Sequence, residues 1–556
     1  MRIKKNSPVI ISTVVISIIF SLSFVLFLHF RTPHISISVR NCIDLIPGKP
    51  VFCVESPNVH NFFESFDNTD YGKFLSDNAY SDVLALFPDM SYISIVSHSI
   101  RSANNSFFIR NLSKDFLRAF VFAKYADKDY VFCAKLSSLS RIAGSFIQNF
   151  YGKKIRPEDI SDDESLNSVQ NDASDVKNGR SHPDDLFTNK NLRFRSVDIR
   201  RFDFGNFVIY SAIIDRFLFC SNDYALLCQS LDCGINGKNE ISTSVSVKTA
   251  YSSMSASSLI IYADLRNSLI GLFMYPAVKS DSAVVMLDFD SKDYLGKIFV
   301  DSNIEPVIPP NTDSPNDLKK VLSQTRSLIF MSNYSVTDWI DDLSDTSGMV
   351  KSRSDQMISF LKSGKVPFED YFDDQGGFSV SLDCLAYSDG RLYPHYSAAF
   401  STKEKDGLPL LRAIHNTDAV QGAAFQGQTY SILTNEGRYY KPASYQIENT
   451  SYISSRAESV EEIISAVKGN VPVVADLRTW DKLGEFIDAP CHLIINLDSV
   501  HNSIYEFYKY GAERDSRFTI TTINSQIMPH YEWMKNRKLH VSFGKKGPLT
   551  GRIVVE

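Results

Sequence analysis

Side chains able to do chemistry are plentiful in this chain but poorly arranged for it. Eight cysteines stand at 42, 53, 133, 220, 228, 233, 384 and 491. Only Cys220, Cys228 and Cys233 lie close together, with no CxxC pair and no His or Cys pair at zinc spacing beside them. They read as small buried hydrophobes, with one local disulfide as the alternative. Asp288-Phe289-Asp290-Ser291-Lys292-Asp293 begins like a calcium loop. Lys292 then takes a ligand position, Asp293 stands where Gly is required, and the twelfth residue is Phe299. A strand running into a turn explains the alternation better. Asp341-Asp342 and Asp373-Asp374 are sequence neighbours, whereas carboxylate-pair hydrolysis needs two groups held across a cleft. Of the 11 histidines, His492, His501, His530 and His540 crowd the last third, and none stands one helical turn from another. No GxSxG elbow, HExxH helix, Walker loop or GxGxxG turn is present. No catalytic, cofactor-binding or metal-binding residue is therefore assigned, and no cofactor is expected. A site assembled from distant residues would leave no local trace.

The elements that would have to position such groups read as a long-period duplication. Leu259 to Arg266 and Pro472 to Arg478 share Ala-Asp-Leu-Arg, and each reads as a strand running into a helix N-capped by Asp264 or Asp476. Upstream of the first, Val208 to Cys220 is strand-like, and Tyr224, Leu227, Cys228 and Leu231 mark one helical face. Upstream of the second, Tyr445 to Ile453 is strand-like, and Val460, Ile463, Ile464 and Val467 repeat the helical spacing before Gly469. Ser455 with Glu458, or Ser459 with Glu462, fits a capping box. Downstream, Ala283 to Phe289 and His492 to Leu497 are strands. The starts also correspond: Val51 to Val54 leads to a helix through Val59 and Phe63, and Leu328 to Met331 leads to one through Val336 and Leu343. Pro306, Pro309, Pro310 and Pro315 mark an extended connector between the copies.

From Asn6 to Phe30 there is no formal charge. That run of about 25 residues makes roughly 37 Å of helix, enough to span a bilayer core. Arg2, Lys4 and Lys5 precede it, which puts the N-terminus in the cytoplasm and the bulk outside. The run ends Leu28-His29-Phe30-Arg31 with no small-residue cleavage site, so an uncleaved signal anchor is expected.

The net charge of −6 is concentrated in the acidic, Ser- and Asn-rich stretch from Arg156 to Asn189, which leaves the remainder near neutral. A nucleic-acid partner would need a basic face, and none is expected. The acidic stretch reads as a disordered insertion. Asn104, Asn111, Asn333 and Asn449 begin N-x-S/T sequons, a number near chance in so Ser- and Asn-rich a chain.

The expected fold is α+β: a transmembrane helix followed by two related modules, each a mainly antiparallel sheet with packed helices. The boundaries are a cytoplasmic tail at 1–7, the anchor at 8–30, a linker at 31–48, module 1 at 49–300 with its insertion at 156–189, a Pro-rich connector at 301–325, and module 2 at 326–556. On Arg2 to Arg31 and the strand–helix units at 208–231, 258–273, 445–467 and 471–487, the layout resembles uncharacterised single-span bacterial envelope proteins with a duplicated extracytoplasmic α+β region. The resemblance implies no catalytic residues.

The expected function is that of a membrane-tethered, non-catalytic envelope protein that binds or scaffolds an extracytoplasmic partner, either a protein or a lipid. A carrier holding an apolar ligand between the modules is the alternative, and a hydrolase with a non-local site the next. The expected location is single-pass, with the bulk extracytoplasmic, periplasmic in a bacterium.

Overall fold

The structure is a computed structural model. It describes residues 41–67, 117–137, 199–289, 295–301 and 314–556 with short gaps, besides residues 37, 39, 69, 141, 153, 154 and 197. The expected tail, anchor and acidic insertion lie outside the described residues, as does the connector from 302 to 313. Among the described residues no helix is long and apolar enough to cross a membrane. What they show is a mixed helix and strand fold with extensive antiparallel sheet. Two compact units divide the chain, one drawn from residues 1–60 and 107–242, the other from residues 61–106 and 243–556.

The first unit contains β1 (Phe52–Ser56), β2 (Leu117–Lys124), β3 (Tyr130–Leu136), β4 (Lys153–Lys154), β5 (Arg200–Asp203), β6 (Val208–Ile214) and β7 (Phe217–Ser221). They pair antiparallel in the order β1-β2-β3-β7-β6-β5-β4. Helix α2 (Tyr224–Asn236) follows β7, while α1 (Val59–Asp67), which follows β1, falls in the second unit from Asn61 on. The strand-like run from 208 to 220 is a hairpin, because Asp215 takes a left-handed φ of 52° and reverses the chain. Asp223 caps α2: its Oδ1 accepts from Leu226 N at 2.6 Å, and Gly237 closes the helix in the left-handed region. Buried Leu227 and Leu231 seat the helix, and Ser230 donates to Leu45 O at 2.7 Å. Asp223→Ala is expected to weaken α2 by about 1 kcal/mol, the usual worth of an N-cap. The check is lost hydrogen-exchange protection of α2 amides with none lost in the second unit.

The second unit carries β8 (Ser258–Asp264), β9 (Ser282–Asp288), β10 (Gly296–Val300), β11 (Leu328–Ser332), β12 (Phe378–Ser388), β13 (Arg391–Ser401), β14 (Val420–Phe425), β15 (Gln428–Leu433), β16 (Ala443–Ile447), β17 (Thr450–Ser454), β18 (Cys491–Asn496), β19 (Lys538–Phe543) and β20 (Leu549–Val555). Its antiparallel order is β8-β9-β10-β20-β19-β18-β11-β12-β13-β17-β16-β15-β14. Gly551 sits where β20 meets β19 and β10. A Cβ there would lie 2.6 Å from Ser542 O, so only glycine permits that approach.

Helices cover both faces of this sheet. They are α3 (Val245–Ser253), α4 (Gly271–Val278), α5 (Ser314–Val321), α6 (Val336–Ser344), α7 (Gly348–Ser363), α8 (Leu408–His415), α9 (Ala457–Val467), α10 (Thr479–Leu483) and α11 (Leu497–Arg514). Alternation along a strand decides which side chain goes where. Phe330 of β11 enters a core with Met274 of α4, Trp339 of α6 and Leu411 of α8, while Ile329 and Met331 enter another with Leu318 of α5, Ile463 of α9 and Leu483 of α10. Burial on both faces explains why β11 reads as a continuous apolar run. Pro315, expected in the connector, lies in the first turn of α5, where a missing N–H is harmless.

Several local expectations need correction. Pro472 to Arg478 is not a strand: Val474–Asp476 is one turn of 3-10 helix, and the Asp476 carboxylate accepts from Val473 N at 3.0 Å. Asp264 ends β8 but caps no helix, since it accepts from Arg266 N and Asn267 Nδ2 in a turn and α4 begins only at Gly271. The run from 445 to 453 is the β16–β17 hairpin, turning at Glu448 with φ 51°. The N-cap of α9 is Arg456, without a side-chain cap, because Ser455 and Ser459 are bonded elsewhere. The order β1-β2-β3-β7-β6-β5 nonetheless matches β11-β12-β13-β17-β16-β15 strand for strand, and β8-β9-β10 matches β18-β19-β20. In that matching β8 corresponds to β18, so the two Ala-Asp-Leu-Arg segments do not fall at equivalent places.

Candidate functional site

Among the described residues, a dense group of polar side chains is built around an irregularity in the β12–β13 ladder. Register shifts between Leu382 and Cys384, which leaves Asp383 without a cross-strand partner. A bulge of this kind bends the strand and re-aims side chains. Asp383 and Cys384, though consecutive, both meet groups at the start of α9. Asp383 Oδ2 accepts from Ser397 Oγ at 2.6 Å and from Ser459 Oγ at 2.7 Å. Its Oδ1 accepts from Ser381 Oγ at 2.9 Å and lies 3.2 Å from Arg326 Nη1. Arg326 also donates to Ser381 Oγ at 2.6 Å, and both ions are buried, at 2% and 8% exposure.

A second layer adjoins it. Cys384 faces His395 across the ladder, and Arg456 Nη1 donates to Cys384 Sγ at 3.3 Å. His395 Nδ1 lies 3.4 Å from Ser455 Oγ. Burial raises the Cys384 thiol despite the Arg456 charge, and burial lowers His395. Burial likewise raises Glu462. Tyr440 packs edge-on against His395 at 5.7 Å, and Tyr396 Oη is 2.8 Å from Nε2 of His415.

This group brings Ser, His, Asp and Cys together, yet it does not assemble a nucleophile. Ser455 is fully buried, and its oxygen already accepts from Tyr396 N at 3.0 Å. The Ser–His separation exceeds the 2.6–3.2 Å or so of a working nucleophile–base pair. No hydrogen bond joins Asp383 to His395, because both carboxylate oxygens are engaged by serines and Arg326. Cys384 is held protonated, the unreactive form. The arrangement pins β12, β13 and α9 together around one buried ion pair.

A second buried polar pair lies between β18 and β19. His492 Nδ1 is 3.1 Å from His540 Nε2, and His540 Nδ1 is 3.0 Å from Thr479 Oγ1. Trp480 packs edge-on against both rings at 4.7 and 4.4 Å, and Lys319 Nζ stands 3.8 Å from the Trp480 ring centre. Burial, reinforced by the Lys319 charge, pushes His540 down to about 3. His492 is also pushed far down, by burial first and then by His540 and Lys319. Neither ring meets solvent.

The residues weighed from sequence mostly take structural places. All eight cysteines are free. Burial holds Cys220 up at about 11, Cys228 at about 12 and Cys233 at about 11, so they behave as small hydrophobes. Among the described residues no group of His, Cys, Asp and Glu is arranged to hold a metal ion. Asp288 accepts from Ser255 Oγ at 2.9 Å, while Asp290 to Asp293 lie outside the described residues. Asp342 pairs with Lys279, and Asp374 also lies outside the described residues. His501 is buried, and nothing is described of the His530 side chain. Asn333 is buried, whereas Asn449 is exposed on the β16–β17 turn. Sequence reading missed Arg326, Asp383, His395 and Arg456, and took Cys384 only as one of eight cysteines. The available signal was Ser379, Ser381 and Asp383 alternating with apolar residues, which puts a polar stripe on one face of a strand whose neighbours are apolar.

No known protein family matches the chain, and no curated protein matches it. Two crystal structures of TP0453 share weak likeness. Form III has a TM-score of 0.23 and 10% identity over 52% of this chain and 89% of that one. Form I has a TM-score of 0.18 and 8% identity over 77% of this chain and 98% of that one. Likeness at this level carries no argument about fold or function.

Proposed function

We propose that this chain is a membrane-tethered, non-catalytic protein that binds or scaffolds a partner outside the cytoplasm, and that its bulk is two copies of one module joined near residues 301–325. The observation that carries the non-catalytic reading is the burial and mutual consumption of the groups able to do chemistry. Ser455, His492 and His540 are at most 1% exposed, and Asp383 is saturated by Ser381, Ser397, Ser459 and Arg326. The tether rests on the charge-free run from Asn6 to Phe30 behind Arg2, Lys4 and Lys5. The duplication is supported by the equivalent strand orders.

The full chain, expressed in a bacterium, tests both parts. Alkaline carbonate is expected to leave it in the membrane pellet, and its release would remove the tether. Fluorophosphonate is expected to leave Ser455 unmodified, and Cys384 is expected to alkylate no faster than a simple thiol peptide. An adduct at Ser455, or Cys384 reacting more than about tenfold faster than the peptide, would establish an activated nucleophile and overturn the non-catalytic reading.

A further inference from the structure

At the outer edge of the second unit's sheet, β14 pairs with β15 and, among the described residues, with no other strand. Thr434 N donates to Ala419 O at 3.0 Å, and Val420 stands opposite Leu433. Antiparallel ladders alternate, so Ala419, Gln421, Ala423 and Phe425 direct their backbone groups to β15. The N–H and C=O groups of Val420, Gly422 and Ala424 point away from it, and these three residues are exposed. Such an edge is ordinarily blunted by charge, proline or a bulge. Here none is present: the chain has no charged residue and no proline between Asp418 and Glu436, although charged residues make up 22% of the whole. The far strand of the first unit's sheet, β4, is by contrast a pair of lysines.

The edge is held in place. Gln426 and Gly427, at φ 49° and 79°, form a tight turn between β14 and β15. Tyr430 Oη donates to Glu461 Oε1 of α9 at 2.7 Å, Gln426 Nε2 donates to Ser465 Oγ at 3.2 Å, and Lys468 Nζ donates to Gln426 O. The hairpin therefore presents a preformed row of backbone donors and acceptors.

We propose that β14 pairs antiparallel with β14 of a second copy of this chain, across a twofold axis at Gly422. Self-complementarity selects this occupant. In that register Gly422 meets Gly422, Gln421 meets Ala423 and Val420 meets Ala424, so within β14 no charges face each other and every contact is between small or uncharged side chains. A two-fold interface repeats the same patch on both copies, as this pairing does. The inference does not depend on the membrane tether.

The test uses the full chain in detergent. The wild-type protein is expected to sediment as a concentration-dependent dimer. Gly422→Lys places two ammonium groups face to face, and a Cβ at 422 meets open space, so the fold is retained. Association is expected to weaken by on the order of tenfold or more, with tryptophan fluorescence unchanged. Register is read by crosslinking. Gly422→Cys is expected to form a disulfide-linked dimer on mild oxidation. Val420→Cys alone is not, because its own copy lies roughly 14 Å away, beyond disulfide reach. Mixing Val420→Cys with Ala424→Cys is expected to restore the link. A monomer at every concentration, a dimer indifferent to Gly422→Lys, or links in any other pattern would overturn the proposal, including the case where a different protein occupies the edge.

Discussion

Asp383→Ala is expected to destabilise the second unit by about 3–5 kcal/mol, the range for breaking a buried ion pair from one side. The loss comes less from the missing attraction than from what is left behind. Arg326 is 2% exposed, and its Nε and Nη2 already lack partners among the described residues. Without Asp383 it becomes a buried cation hydrogen-bonded to Ser381, with the half-buried Glu462 carboxyl as its remaining acidic neighbour. Ser459 loses its acceptor as well, and Ser397 is left with Ser454 Oγ at 3.0 Å. Removing both ions tells the two effects apart. Arg326→Met with Asp383→Leu is expected to recover most of the loss, because apolar replacement of a whole buried pair is often near neutral. All three tryptophans, Trp339, Trp480 and Trp533, lie in the second unit, so denaturant unfolding followed by their fluorescence reads this unit alone. A double variant no more stable than Asp383→Ala would show that the carboxylate does more than balance Arg326.

The contrast between what was and was not legible follows from range. Helix α2 was legible because its signal is local: Tyr224, Leu227, Cys228 and Leu231 recur at the helical spacing and face one way. Strands β8, β9 and β18 were legible as apolar runs between turns. Hairpins 208–221 and 443–454 read as single strands because Asp215 and Glu448 reverse the chain in left-handed conformations that non-glycine residues seldom take. The shared Ala-Asp-Leu-Arg misled because four residues carry no tertiary information. In one place Asp264 ends a strand, and in the other Asp476 closes a 3-10 turn. The polar group around Asp383 was invisible because Arg326, Asp383, His395 and Ser455 meet only after three strands and a helix have packed. Ser455 and Ser459 show the same competition directly: each fits a capping motif by spacing, and each is drawn instead to a tertiary partner.

Acidification is expected to destabilise the second unit through His492 and His540. In the unfolded chain a histidine titrates near 6.5. In the folded chain burial holds His540 down to about 3 and pushes His492 well below its ordinary value. The unfolded state therefore binds more protons than the folded state below about pH 6.5, and stability falls as pH drops through that range. Each histidine kept neutral loses about 1.4 kcal/mol per pH unit, or about 2 kcal/mol by pH 5 and about twice that for the pair. His395 and His415, also lowered by burial, act in the same direction. Glu462 and Asp342, raised by burial, act oppositely, since the folded state holds their protons more tightly. Lys319 is the charge nearest the pair and is itself pushed down to about 8 by burial, but it stays protonated throughout this window and so adds no slope. Urea unfolding from pH 7 to pH 5, followed by tryptophan fluorescence, is expected to show this decline. His492→Gln with His540→Gln is expected to be less stable at pH 7 and flatter with pH, because the amides preserve polarity without a proton to gain. A double variant with the wild-type slope would move the acid sensitivity to other groups.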